Sequence, residues 1–163
     1  PGAAVESRAP AQGLHILLAE DHPINQVVAL KVLEFLGAKV TLVDNGLKAV
    51  EACKQQRFDM IFMDAAKGQY IHWLPDVLRL MKEGSVLVSD NVLQEGDIIE
   101  SHYLVERRNR TIYKRMREYL WQLTHSPVLR TSVLPLGDGA AVSVKTGEQV
   151  YETTRTIGSG EQP

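Results

Sequence analysis

Short apolar runs alternate along this chain with stretches whose apolar residues return every three or four positions, the pattern of strands alternating with helices around a largely parallel sheet. The first run, His15 to Ala19, precedes a segment in which Ile24, Val28, Val32 and Leu36 form a regular stripe, which predicts a helix with that face buried and with Gly37 as its stop. Lys39 to Val43 reads as a second strand, and Asn45 as the cap of a second helix that turns Leu47, Val50 and Cys53 inward. Asp59 to Met63 is a third apolar run, ending in Asp64. Leu74, Val77, Leu78 and Met81 place a third helix that ends at Gly84 and tolerates Pro75 only in its first turn. Ser85 to Ser89 reads as a fourth strand with Asp90-Asn91 at its end. A long helix follows from about Glu106 to His125, with Ile112, Met116, Leu120 and Leu123 as its apolar stripe. Thr131–Leu136 and Ala140–Val144 flank Gly137-Asp138-Gly139, a hairpin signal that brings in an antiparallel strand.

The alternating pattern occupies residues 14–145, read as a single α/β domain, while 1–13 and 146–163 lack periodicity and read as tails. Lys and Arg total 18 against 20 Asp and Glu, a net charge of −2, so nucleic acid is not expected as a partner and no bulk attraction to an anionic membrane arises. One cysteine, Cys53, excludes a disulfide framework and a Cys-rich zinc site, and reads as a small core hydrophobe in a protein of the reducing cytoplasm. No apolar stretch approaches the roughly 18 residues of a membrane span, and the first residues lack the pattern of a signal peptide. What gives the pattern chemical interest is that acidic residues end the first, third and fourth strands. In open α/β sheets ligands bind at those ends.

Two families share these marks. Glu20-Asp21 after the first strand, Asn25-Gln26, Asn45-Gly46 and Asp64 make residues 14–64 resemble the first half of a response-regulator receiver domain of the hybrid histidine kinase type. Asp64-Ala65-Ala66-Lys67-Gly68-Gln69-Tyr70, Ser89-Asp90-Asn91-Val92 and Leu136-Gly137-Asp138-Gly139 make residues 58–145 similar to the second half of a cation-dependent O-methyltransferase that uses S-adenosylmethionine (SAM), of the catechol and caffeoyl-coenzyme A type, with bacterial tRNA hydroxyuridine methyltransferases among its members. Both resemblances imply a three-layer αβα, Rossmann-like open sheet of order 2-1-3-4-6-5 with strand 6 antiparallel. They meet at Phe58–Asp64, a strand that neighbours the first strand in either fold.

The receiver resemblance implies Mg²⁺ held by Glu20, Asp21, Asp64 and the Ala66 carbonyl, with Asp64 as phosphoacceptor and Ser89 as the hydroxyl beside it. Its lysine after the fifth strand has no counterpart. The methyltransferase resemblance implies Asp64, Asp90 and Asn91 as metal ligands and Lys67 as the base. Where that family carries a glycine-rich turn for the cofactor, this chain has Ala19-Glu20-Asp21-His22-Pro23, although Asp44 ends the second strand near the family's ribose-binding acid. The expectation drawn is an engineered chimeric scaffold without retained activity and without SAM, carrying a weak divalent-cation site of Glu20, Asp21, Asp64, Asp90 and Asn91. It needs no partner, although newly exposed surfaces leave room for a homodimer. The alternatives are a phosphorelay receiver phosphorylated on Asp64 and a SAM-dependent O-methyltransferase. Arg107, Arg108, Arg110, Lys114, Arg115 and Arg117 read as a solvated helix face, the five histidines as surface or cap residues, and Tyr70 and Trp73 as packing groups.

Overall fold

A computed structural model describes residues 9–64, 66–99 and 105–147; Ala65 and most of the two predicted tails lie outside the described residues. Its six strands are β1 (His15–Glu20), β2 (Lys39–Val43), β3 (Met60–Asp64), β4 (Val86–Ser89), β5 (Leu129–Leu134) and β6 (Ala140–Lys145). They form one sheet in the order β2-β1-β3-β4-β6-β5, parallel except that β6 runs antiparallel to both β4 and β5. This is the expected order. Among the described residues four α-helices complete the fold: α1 (Pro23–Phe35), α2 (Gly46–Gln55), α3 (Tyr70–Leu80) and α4 (Arg110–His125). None of the described helices is long and apolar enough to cross a membrane.

The alternation of side chains along the strands divides the core in two. Leu17, Ala19, Ile61, Met63, Leu87 and Ala141 point to the face on which α2, α3 and α4 pack against each other. Ile16 points the other way, into a smaller cluster with Leu33, Leu36, Val40 and Met60 under α1, which lies over β1 and β2. Ala11 joins that cluster, and its N–H donates to the Leu36 carbonyl (2.9 Å).

Local chemistry sets the helix ends. Pro23 occupies the first turn of α1, where its missing N–H is no loss, and Gly37 takes the positive φ (+90°) that ends it. Asn45 caps α2, its side chain accepting from Lys48 N–H at 2.9 Å. The next residue must be glycine for a packing reason: a Cβ on Gly46 would lie 2.3 Å from the Trp73 indole.

The apolar stripes are rotated from their expected positions. Ile24, Val28 and Val32 face outward, 51–69% exposed, because Ala29, Leu30 and Leu33 offer a second apolar face that meets the sheet. In α2, Leu47 is exposed and Ala49 takes its inward place beside Val50 and Cys53. In α4 the buried face is Tyr113, Met116, Tyr119 and Leu123, with Ile112 at the surface. The two tyrosines supply the packing that the aliphatic pattern assigned to Ile112 and Leu120. Pro75 sits inside α3 rather than in its first turn, since the helix begins at Tyr70; the proline is on the exposed side, where its ring meets water. Cys53 is buried as expected, and burial pushes its thiol pKa up to about 11.

Candidate functional site

Register brings the acidic strand ends together. Glu20 and Asp64 are paired neighbours on β1 and β3, and Asp90 follows β4, with its N–H bonded to the Met63 carbonyl (3.1 Å). Glu20 is 3% exposed; its Oε1 accepts from the His22 N–H (2.8 Å) and from Asn25 Nδ2 (3.5 Å). Burial pushes the Glu20 carboxyl above its ordinary pKa, and the Asp64 carboxylate beside it pushes in the same direction.

The cation that answers this charge comes from the chain itself. Lys67, in the single 3-10 turn before α3, places Nζ in an ion pair with Asp64 Oδ1 and 2.7 Å from Asn91 Oδ1, with the Tyr70 hydroxyl 3.4 Å away. Asn91 is held in a left-handed conformation (φ 53°), uncommon for a residue other than glycine and most tolerable for Asn. That conformation points Oδ1 at Lys67 while Nδ2 donates to Asp138 Oδ2 (3.1 Å). The loop bearing Asp138 is laced to the end of β4 by Val92 N–H to the Gly139 carbonyl (2.9 Å) and Leu93 N–H to the Asp138 carbonyl (2.8 Å). Gly139 has φ +83°, and a Cβ there would meet Leu93 Cγ at 2.3 Å, so only glycine permits this approach.

Of the predicted residues, then, the fold gathers Glu20, Asp64, Lys67 and Asn91. Asp21 is exposed on the turn after β1, and the Asp90 carboxylate is engaged by the Asn91 N–H (2.7 Å). Ser89 is fully buried on the helix side of the sheet, where its hydroxyl meets Tyr119 OH at 2.6 Å, and so it does not face the strand-end site. Among the described residues no three His, Cys, Asp or Glu side chains converge as a metal cage. The oxygens that do converge are Asp64 Oδ1 and Asn91 Oδ1, both on Lys67 Nζ. These are hard donors suited to a divalent cation that keeps several waters.

Two contributors escaped the sequence reading. Tyr70, read as packing only, donates its buried hydroxyl to the Met63 carbonyl (2.9 Å) and carries the Lys67 ammonium 5.7 Å from its ring centroid. Asp138, read as part of a turn, orients Asn91; the sequence signal was an acid between two glycines. Beside this cluster lies an open cavity of about 420 Å³ lined by Lys67, Asn91, Gln94, Asn109, Ile112 and Asp138. On its far side Arg115 reaches the Gly68 carbonyl (3.1 Å), at the edge of a larger groove along α4.

A second cavity lies at the end of β2. It measures about 210 Å³ and is lined by Gln26 of α1, Leu42 and Val43 of β2, Asp44 and Lys48. Asp44 accepts from Lys48 Nζ and Asn45 Nδ2, both at 2.7 Å, and the lysine hydrogen bond holds its pKa below the usual value. No side chain caps the N-terminus of α1 beside it.

The profile of a family described as O-methyltransferase matches residues 9–146. This chain belongs to that family. Tricin synthase 2 from Oryza sativa subsp. japonica is 32% identical over 113 residues, covering 69% of this chain and 38% of that protein. The chain spans about two fifths of the length of the curated methyltransferases it matches. An O-methyltransferase from Bacillus cereus, solved in complex with SAH, superposes with a TM-score of 0.59 at 17% identity, covering 81% of this chain and 74% of that one. Likeness to receiver-bearing proteins is shorter: hybrid signal transduction histidine kinase K from Dictyostelium discoideum is 44% identical over 55 residues, 34% of this chain and 4% of that protein.

The family match corrects the expectation of an engineered, inactive chimera, because it runs unbroken through the receiver-like half instead of beginning at Phe58. Family membership likewise overturns the reading as a non-enzyme and the receiver reading, and with them the expectation that SAM has no place here. The physical argument against SAM was the missing glycine turn. None of residues 19–23 takes a positive φ, so the turn after β1 does not itself require glycine; the side chains there remain in place of the family's glycines.

Proposed function

We propose that this chain carries out SAM-dependent O-methyl transfer to a hydroxyl of a small aromatic acceptor. The observation that carries the reading is Lys67 Nζ, held by Asp64 and Asn91 at the wall of a cavity of about 420 Å³. That volume is within the range of small-ligand sites. The names of curated relatives, tricin synthase 2 and a catechol O-methyltransferase from Niastella koreensis, support a phenolic acceptor.

The residues at the β1–β2 end fit the cofactor. Asp44 offers a carboxylate for ribose hydroxyls, as the methyltransferase resemblance implies, and the uncapped N-terminus of α1 offers N–H groups to a carboxylate. Glu20 brings negative charge to the same edge, favourable to a sulfonium. When bound, SAM supplies an electrophilic methyl group. A divalent cation, where used, would be held by Asp64 and Asn91 and would acidify an acceptor hydroxyl. Lys67 Nζ would hydrogen-bond the acceptor oxygen and, once it has passed its own proton to Asp64, would take the hydroxyl proton as that oxygen accepts the methyl group; Asp64 and Asn91 position the nitrogen, with the Tyr70 hydroxyl 3.4 Å away.

The test is calorimetric titration with SAM and SAH, followed by transfer of labelled methyl to catechol. Saturable binding that weakens about tenfold in Asp44→Ala, worth about 1.4 kcal/mol, is the expected result. Absence of SAM and SAH binding in the folded protein would overturn the reading.

A further inference from the structure

The turn that carries Lys67 is weak on its own. Lys67–Gln69 is a three-residue 3-10 turn, Ala66 before it supplies no side-chain cap, and Gly68 at its centre has no side chain to anchor it. Turns of this kind stay short because their hydrogen bonds are poorly aligned, and glycine loses the most backbone freedom on being fixed. The printed main-chain ties of the turn are local: Gln69 N–H to the Ala66 carbonyl (2.9 Å) and Tyr70 N–H to the Lys67 carbonyl.

Support comes from α4, distant in sequence. Arg115 donates from Nη1 to the Gly68 carbonyl (3.1 Å) across 47 residues. The helix lies directly over the turn: a Cβ on Gly68 would stand 3.5 Å from Arg115 Nη1 and 3.9 Å from Ile112 Cγ1, both ordinary contact distances. Sequence alone assigns Arg115 to a solvated helix face, yet it is half-buried, because it shares with Ile112, three positions earlier, the flank that meets the turn. Among the described residues no carboxylate forms an ion pair with Arg115, so its charge acts undivided on the carbonyl, and charge-assisted hydrogen bonds are about twice as strong as neutral ones. The opposite wall of the acceptor cavity is tied separately. Asn91 and Asp138 are held by Val92 N–H to the Gly139 carbonyl and Leu93 N–H to the Asp138 carbonyl, bonds in which α4 has no part.

We propose that Arg115 is a positioning residue for methyl transfer: its bond to Gly68 fixes the turn so that Lys67 Nζ stays between Asp64 and Asn91 at the wall of the acceptor cavity. This rests on the role given to Lys67 under the proposed function. Without the guanidinium the Asn91–Asp138 wall remains, so the acceptor still binds. The ammonium, on a flexible four-carbon stem hung from a loosened turn, then reaches its working position less often. The loss falls on kcat rather than KM.

The experiment compares wild type, Arg115→Met, Arg115→Lys and Lys114→Ala, each shown to be folded by circular dichroism and its urea midpoint. The first assay needs no activity: trace acetylation with acetic anhydride, followed by peptide mass spectrometry, reads how freely each lysine amine reacts. Lys67 should label several-fold faster in Arg115→Met than in wild type, while Lys48, in its own ion pair with Asp44, is unchanged. The second assay is transfer of labelled methyl to catechol, where Arg115→Met should lower kcat about 10–100-fold and leave KM within about twofold. Arg115→Lys, which keeps the charge but not the planar fork, should fall between the two in both assays, and would carry the comparison alone if Arg115→Met did not fold. Lys114→Ala, at the exposed neighbouring position, should match wild type throughout. Unchanged Lys67 labelling in a folded Arg115 variant would overturn the proposal, as would a rise in KM with kcat intact. Faster Lys67 labelling in a chain whose wild type transfers no methyl would instead refute the function proposed above, and with it a role in transfer, while establishing that Arg115 holds Lys67.

Discussion

Replacing Lys67 by methionine tests the electrostatic design of the site. The variant keeps much of the packing volume but removes the cation from an ion pair whose two side chains are 22% and 23% exposed. Exposed pairs contribute about 0–1 kcal/mol, and breaking fully buried ones costs about 3–5, so a loss of about 2 kcal/mol is expected here. For a chain of this size that lowers Tm by roughly 4–8 °C. The pH dependence is more diagnostic than the size. Glu20 already has a folded pKa above its ordinary 4.5, and without Lys67 two adjacent carboxylates face each other uncompensated. A folded pKa raised further means that stability is retained at low pH and lost as pH rises through it, so the cost of Lys67→Met should be larger at about pH 7.5 than at about pH 5. Urea unfolding of both proteins at the two pH values measures this directly. Added Mg²⁺ should restore more stability to the variant than to the wild type, because Asp64 Oδ1 and Asn91 Oδ1 are then released. A cost below about 0.5 kcal/mol, or one equal at both pH values, would refute the assignment of Lys67 as the site's internal cation.

Glu20→Gln removes the buried charge while keeping an acceptor for the His22 N–H, so the decline in wild-type stability as pH rises above about 4.5 should flatten in urea titrations. Gly46→Ala drives a Cβ into the Trp73 ring, which should cost about 1–3 kcal/mol and shift tryptophan emission to longer wavelength as the half-buried indole is displaced.

The strand order was legible because each strand carries its own period and its own terminators, and because the acidic ends mark the same edge of one sheet. Helix rotation was less legible. The chain offers α1 two apolar faces, and the more regular stripe, Ile24-Val28-Val32, is the one left outside. A residue count cannot choose between them, since the choice depends on which face lets the small Ala29 approach the sheet. In α4 the decisive residues were tyrosines whose hydroxyls need partners; Tyr119 finds one in Ser89, a pairing that neither segment announces. The same bond explains why Ser89, read as a site hydroxyl, faces the core instead. Lys67 and Asn91, singled out by dense motifs, are brought into contact by the fold. Asp138 and Tyr70 were missed because they act through a neighbour's orientation.

The expectation about the turn after β1 had a more general cause. A glycine turn was expected because it lets the backbone approach SAM, whereas Ala19-Glu20-Asp21-His22-Pro23 brings side chains, negative charge and a ring; among the described residues the positive φ values cluster instead near Lys67, at Asn91, Gln94 and Gly139. Backbone strain there holds polar groups in place, with Asn91 fixed between Lys67 and Asp138. The turn after β1 uses ordinary backbone and holds its geometry with a buried carboxylate, Glu20, bonded to the His22 N–H. Because Glu20 is the register neighbour of Asp64, and Asp64 is the ion-pair partner of Lys67, charge arriving at either end of the edge alters the field at the other. Glu20, Asp64 and Lys67 are thus electrically one cluster, although different local structures build it.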